Sequence, residues 1–375
     1  MRLLWKTCEK NGILGKSVLK SSFGKRLFTC TADGILDSKG GLRPVNYIVF
    51  DLEWNQSSSG EEPETALMPF EIIEIGAVKL NSEMEMEGEF SRLICPQVYH
   101  QMHRVPRKLL KLTMSDLEGE EHFPEVTSAF LNWSGENGEP VCFCTWGTTD
   151  LTELQRNMRF YHMTPLSDRP LAFLDVQKLF SKSFGKGSGA KSLEYAVEFL
   201  EIPKEESFHR AYGDAYYTAV ILQVIARMYP DVMQYVSYDL FHAPASREQE
   251  IRVQFPTYHK YISREFDSKS EAFADKEVSS TKCYLCHRNL RKKLKWFSTN
   301  SKHYYSLAYC EKHGYFKYKV RIKKSDSGKT FVVKTSKQIP EEKAAELKEQ
   351  SVRARMLKKK ANQKQMMKRP QRSRE

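Results

Sequence analysis

Nowhere in its 375 residues does this chain hold an apolar stretch approaching the ~20 residues that a membrane-spanning helix needs, so no membrane role is expected. A disulfide pattern is also missing. Of the eight cysteines, Cys8, Cys30, Cys95, Cys142 and Cys144 have no pairing-like spacing, which excludes a disulfide-stapled scaffold and suits a reducing cytoplasm. Cys142 and Cys144 sit in a strand-like run and read as small core residues. Acidic residues are scarce at both ends. Residues 1–44 carry nine Lys or Arg against three acids, residues 276–333 carry fifteen against three, and residues 334–375 carry fourteen against five. With an overall charge of +12, this leaves −15 for residues 45–275. An acidic body between basic flanks suits a polyanionic partner gripped by the flanks. The first 32 residues are acid-poor like a transit peptide, but Lys outnumbers Arg among them, so residues 1–44 are expected to be a poorly ordered basic extension.

What is present is a set of acids in distinctive settings. In Tyr47-Ile48-Val49-Phe50-Asp51-Leu52-Glu53-Trp54, a short apolar β-branched run predicts a buried strand. Side chains alternate along a strand, so Asp51 and Glu53 share a face at its carboxyl end. Two carboxylates placed so repel unless a cation lies between them, and oxygen ligands suit Mg²⁺ or Mn²⁺. Alone, such a pair is most often a solvated turn. Asp150 ends Trp146-Gly147-Thr148-Thr149-Asp150. Asp214 follows His209-Arg210-Ala211-Tyr212-Gly213 and opens a segment whose Ala219, Leu222, Ile225 and Ala226 recur at helical spacing. A carboxylate in a first helical turn is favoured in its ionised form, the form that binds metal. His209, on the preceding loop, has the titration range a general base needs, although a lone histidine is more often a surface one.

The order Asp-x-Glu, Trp-Gly-x-x-Asp, His-x-x-x-x-Asp resembles the DEDDh 3′–5′ exonucleases, the DnaQ and RNase T group with a ribonuclease H-like fold. Residues 70–80 are similar to the second strand of that fold, and Lys191-Ser192-Leu193-Glu194-Tyr195-Ala196 to the helix ahead of the third motif. The motif forms are most similar to the branch holding the histone mRNA exonucleases and KapD. The resemblance covers about residues 45–230. It implies an α/β mixed sheet flanked by helices, with Asp51, Glu53, Asp150 and Asp214 holding two Mg²⁺ or Mn²⁺ ions about 4 Å apart and His209 deprotonating water. Single-stranded nucleic acid, RNA ahead of DNA, is then cut from its 3′ end to nucleoside 5′-monophosphates. Leu52, Trp54 and Trp146, lying within the motifs, are candidate substrate contacts. Trp54 departs from the small hydroxyl residue of many relatives and either stacks on the terminal base or packs against the next strand.

A second unit is expected over residues 276–336. Cys283-Tyr284-Leu285-Cys286 and Cys310-Glu311-Lys312-His313 form a C-x2-C and C-x2-H pair of knuckles, suited to one structural Zn²⁺ in a small β-rich, zinc-ribbon-like domain. His287 and His303 are alternatives for the fourth ligand. Basic and aromatic residues interleave there. Lys292, Lys293 and Trp296 are candidate contacts to a single strand, with the competing reading that the aromatics are core and the lysines a solvated face.

Residues 231–275 read as a connecting segment whose first part packs against the exonuclease body and whose Ser-, Glu- and Asp-rich second part is a linker. A chain ending near residue 275 is therefore expected to keep activity on short oligonucleotides but lose affinity and salt sensitivity on long ones. Residues 330–334 predict a last strand. Residues 337–375 form a basic tail, helical or disordered, with a helix start at Pro340-Glu341-Glu342 and little to bury beyond Leu347, Met356 and Leu357. Two functions stand side by side. One is a metal-dependent exonuclease; the other is a regulatory factor on the same fold that docks on RNA, a ribosome or a protein through its basic half. The sequence does not speak to oligomeric state.

Overall fold

Ten successive residues of β1 (Asn46–Asn55) and ten of β2 (Glu71–Leu80) send side chains to two covered faces, which is why both runs are so rich in apolar residues. The computed structural model describes residues 45–58, 66–136, 140–185, 189–325 and 327–367; the expected extension over 1–44, with Cys8 and Cys30, and the residues past 367 lie outside these. Strand β1 pairs antiparallel with β2, and β2 with β3 (Met86–Leu93). On its other side β1 runs parallel to β4 (Val141–Thr145), which is followed by parallel β5 (Ala172–Asp175) and antiparallel β6 (Ser237–Tyr238). The order is β3-β2-β1-β4-β5-β6.

Among the described residues six helices flank this sheet, one of them the crossover between parallel β4 and β5. These are α1 (Arg104–Leu110), α2 (Phe123–Ser134), α3 (Thr149–Phe160), α4 (Val176–Phe184), α5 (Leu193–Phe199) and α6 (Ala211–Met228). Phe50 meets Phe130 of α2 at 5.7 Å and Phe143 of β4 at 5.6 Å between ring centroids, so β1 is clamped at the centre. Helix α6 crosses β1 and β2. This is the α/β mixed sheet flanked by helices that the sequence predicts, and Cys142 and Cys144 are core residues of β4.

The remainder is a second six-stranded sheet, built from β7 (Ile251–Phe255), β8 (Tyr258–Ile262), β9 (Lys292–Ser298), β10 (His303–Cys310), β11 (Gly314–Lys324) and β12 (Thr330–Ile339), in the order β7-β8-β12-β11-β10-β9. Here the second part of 231–275, expected to be a linker, is folded structure. Residues 251–262 form a hairpin that pairs with β12, and α7 (Lys269–Ala274) and α8 (Lys276–Ser279) follow it. Asp275 accepts the N–H groups of Glu277 and Val278 and bonds Arg247 at 2.7 Å, which fixes the segment that reads as linker. Ile251, Val253 and Phe255 alternate with Arg252 and Gln254, so a strand signal is present, but the run is only five residues long.

The two faces of this sheet have different partners. Phe255, Ile262 and Phe331 join the same core as β1, whereas their neighbours Tyr261 and Val332 pack on the opposite face with Phe266 and Val278. Helix α9 (Glu341–Met367) lays Ala344 and Leu347 on Phe297 and Leu307, while Met356 and Leu357 are exposed. The expected tail is therefore docked by its first turns. No helix among the described residues is long and apolar enough to cross a membrane.

Candidate metal centre and nucleic-acid interface

Asp51 and Glu53 leave β1 on one face, and Asp214 reaches them from the first turn of α6. One carboxylate oxygen from each of the three lies within 4.8 Å of the others. Such an approach requires α6 to sit very close to the sheet. Gly76 of β2, opposite Asp51, makes this possible, because a Cβ there would collide with the backbone of Ala211 and Tyr212. Gly213 serves likewise, facing the Ser207 carbonyl.

Burial and mutual repulsion set the charge state. Desolvation, then the charges of Asp150 and Asp214, push the Asp51 carboxyl well above its usual range. Desolvation, Asp214 and Glu74 raise Glu53 to about 8. Asp214 is raised to about 6 by burial, against the charge and N–H of His209. Its Oδ1 is buried with no hydrogen-bond partner. An orphaned carboxylate oxygen among two further carboxylates is what a hard divalent cation would satisfy, so the donors fit Mg²⁺ or Mn²⁺.

Asp150, in the first turn of α3, is buried and lies outside the group of three. Burial raises its pKa, and N–H groups including that of Leu52 lower it. Leu52 thus serves Asp150 through its backbone while its side chain is buried in the core. His209 stands at the edge of the cluster with positive φ, its side chain 46% exposed and Nε2 3.5 Å from Glu194 Oε1. Trp54 packs on Phe70 at 5.3 Å, favouring the packing alternative. Trp146 donates from Nε1 to the Lys191 carbonyl at 3.2 Å and rests on Phe180.

Glu74 and Arg210 escaped the sequence reading. Glu74 pairs with Glu53 in the β1–β2 ladder, its side chain 1% exposed, and Arg210 grips both its oxygens at 2.8–3.1 Å. The fork ties the start of α6 to β2 and keeps a fourth acid beside the cluster neutralised. A charged residue inside the apolar run Ile72-Ile73-Glu74-Ile75 was the available signal.

In the second sheet, Cys283, Cys286, Cys310 and His313 converge. Cys283 Sγ is 3.4 Å and Cys310 Sγ 3.6 Å from His313 Nδ1, and the Cys286 and Cys310 sulfurs are 3.7 Å apart. A tetrahedral ion with Zn–S near 2.3 Å places sulfurs about 3.8 Å apart, so the donors fit zinc. His303 instead bonds Asn300, and His287 lines a neighbouring cavity. Lys292 and Lys293 are exposed on β9. Trp296 is not free for a base: Nε1 donates to the Ser279 carbonyl at 3.0 Å and the ring packs on Phe273.

Residues 48–222 match the RNase_T family model, described as an exonuclease. Among solved structures, the nuclease domain of 3′hExo, a DEDDh family member bound to rAMP, is 18% identical with a TM-score of 0.43, over 50% of this chain and 94% of that one. Cell-death related nuclease 4 (CRN-4) is 16% identical with a TM-score of 0.42, over 49% of this chain but only 64% of its own. The Mg²⁺ and Mn²⁺ bound form of S. pombe Pop2p is 18% identical with a TM-score of 0.38, over 50% and 84%. No curated protein matches the chain in sequence. Residues 48–222 thus match an exonuclease family model, and the converging acids Asp51, Glu53 and Asp214 lie inside that match.

Proposed function

We propose that this chain is a metal-dependent 3′–5′ exonuclease of single-stranded nucleic acid, RNA ahead of DNA, that releases nucleoside 5′-monophosphates. The observation that carries the reading is the convergence of Asp51, Glu53 and Asp214, with Asp214 Oδ1 orphaned among them. These three, with Asp150 from α3, would hold two Mg²⁺ or Mn²⁺ ions. When bound, the ions supply Lewis-acid stabilisation to an in-line phosphodiester displacement. His209 takes the proton of the attacking water, and Glu194, 3.5 Å away, stabilises the resulting imidazolium. Arg210 holds the first turn of α6, and with it Asp214, against β2.

The same proposal gives Cys283, Cys286, Cys310 and His313 one structural zinc, which suits a reducing, cytoplasmic setting where thiolates persist. Lys292 and Lys293, exposed on the basic second sheet, are proposed to hold the phosphate backbone.

The test is incubation with 5′-labelled single-stranded RNA and DNA in Mg²⁺ or Mn²⁺. A ladder shortening from the 3′ end is expected, faster on RNA, abolished by Asp51→Ala and strongly slowed by His209→Ala. Tight binding with no cleavage by wild type would replace this reading with that of a regulatory binding factor.

A further inference from the structure

The second sheet contains a cavity of about 440 Å³ that none of the exonuclease acids line. It is formed where β7, β8 and β12 meet α8 and the first cysteine knuckle, and its volume falls in the ~300–1,000 Å³ range of small-molecule sites. Two features define its chemistry. Tyr284 stacks on His259 with ring centroids 6.4 Å apart and planes at 19°, giving a planar aromatic wall. Arg252, Lys282 and Lys334 bring three cations, against Glu277 as the one carboxylate lining it.

The charges are unevenly matched. Lys282 takes up Glu277 at 3.1 Å, and Arg252 leans on Glu250 at 2.9 Å. Lys334, 7% exposed, donates to the carbonyls of Glu277 and Ser280, both at 2.7 Å, and makes no ion pair among the described residues. Desolvation, with Lys282 and Lys292 nearby, pushes its ammonium down to about 7 against the pull of Glu277 and Asp275. A buried amine held by two carbonyls and in no ion pair, set with Arg252 and Lys282 beside the Tyr284 and His259 rings, has the complementarity of a phosphate joined to a base.

We propose that this cavity binds one nucleotide, its phosphate on Arg252, Lys282 and Lys334 and its base against Tyr284 and His259. The ligand class rests on the nuclease reading above, which supplies both a free mononucleotide product and nucleotides within the strand. Inorganic phosphate would leave the aromatic wall and most of the volume unused. Cys283 also lines the cavity, so the knuckle that zinc would order shapes its floor.

The test uses the zinc-loaded full chain in Mg²⁺-free buffer, so that hydrolysis plays no part in the readout. AMP, inorganic phosphate and a single-stranded RNA of about 20 nucleotides are titrated calorimetrically against wild type and an Arg252→Gln, Lys282→Gln variant. Melting temperature and zinc content report the variant's folding. AMP is expected to bind wild type well ahead of phosphate and at least about tenfold more weakly to the variant. If the double variant does not fold, Lys282→Gln alone should show a smaller loss of the same sign. AMP that competes with the RNA assigns the site to the strand, and AMP that binds beside it assigns the site to the free product. Equal AMP affinity in wild type and variant, phosphate binding as tight as AMP, or no AMP binding up to about 1 mM would overturn the proposal. None of these outcomes depends on whether the metal centre cleaves.

Discussion

Gly76 faces Asp51 across the β1–β2 ladder, and the backbone of Ala211 and Tyr212 occupies the space that a side chain at Gly76 would fill. The first turn of α6 therefore rests on bare strand backbone, and Asp214 arrives within ligand distance of Asp51 and Glu53.

Gly76→Ala should lift that turn. Overpacking against backbone is expected to cost about 1–3 kcal/mol, and displacing a metal ligand by even ~1 Å about a hundredfold in rate. Urea unfolding and single-turnover cleavage measure the two effects. Wild-type cleavage in Gly76→Ala would show that the close approach is not what positions Asp214.

Arg210→Ala leaves Glu74, with a 1% exposed side chain, without its cation. Breaking a buried pair costs about 3–5 kcal/mol, but the Arg210 side chain is 41% exposed, so about 2–3 kcal/mol is expected. Glu74→Gln in the Arg210→Ala background should recover much of the loss in a double-mutant cycle. Additive losses would show that the fork is not a coupled unit.

The pH response of the metal-free cluster has a definite sign. Glu53 has a folded-state pKa of about 8 against an ordinary 4.5, and Asp51, Asp150 and Asp214 are raised as well. Raised carboxyls favour the folded state while protonated, so this contribution is complete below about 4.5 and disappears as pH climbs through about 8. Melting temperature without Mg²⁺ should fall between these limits. Added Mn²⁺ should restore it most at the alkaline end, and Asp51→Asn should flatten the slope. A metal-free melting temperature independent of pH would contradict the repulsive cluster.

Much of this centre is legible in the chain. The apolar run before Asp51 marks a strand, alternation puts Glu53 on the same face, and the helical spacing after Asp214 places it in a first turn. The Glu74–Arg210 fork is not, because its members are 136 positions apart and sequence shows no register. The hairpin over 251–262 escapes for a related reason. Its two strands are only five residues each, and its partner β12 begins at Thr330, so the pairing that orders it is far away in the sequence. Trp296 looks like a platform for bases until Ser279 and Phe273 are found beside it.

A chain ending at residue 275 should now fail to fold properly, contrary to the sequence expectation. It would retain β7 and β8 but lose β12, and expose the core faces of Phe255 and Ile262. Aggregation or a much lowered melting temperature is expected, whereas Cys310→Ser in the full chain should lose zinc with a smaller thermal penalty. A soluble, active truncated chain would show that the hairpin stands without its partner.

Phe255, Ile262 and Phe331 also set a length. Because they share one core with β1, the second sheet cannot swing toward or away from the acids as a tethered arm would. On the exonuclease reading proposed above, the span between the acids and the basic sheet would then act as a built-in ruler. Strands too short to bridge it should be held at one end only, and affinity should rise in a step at the bridging length.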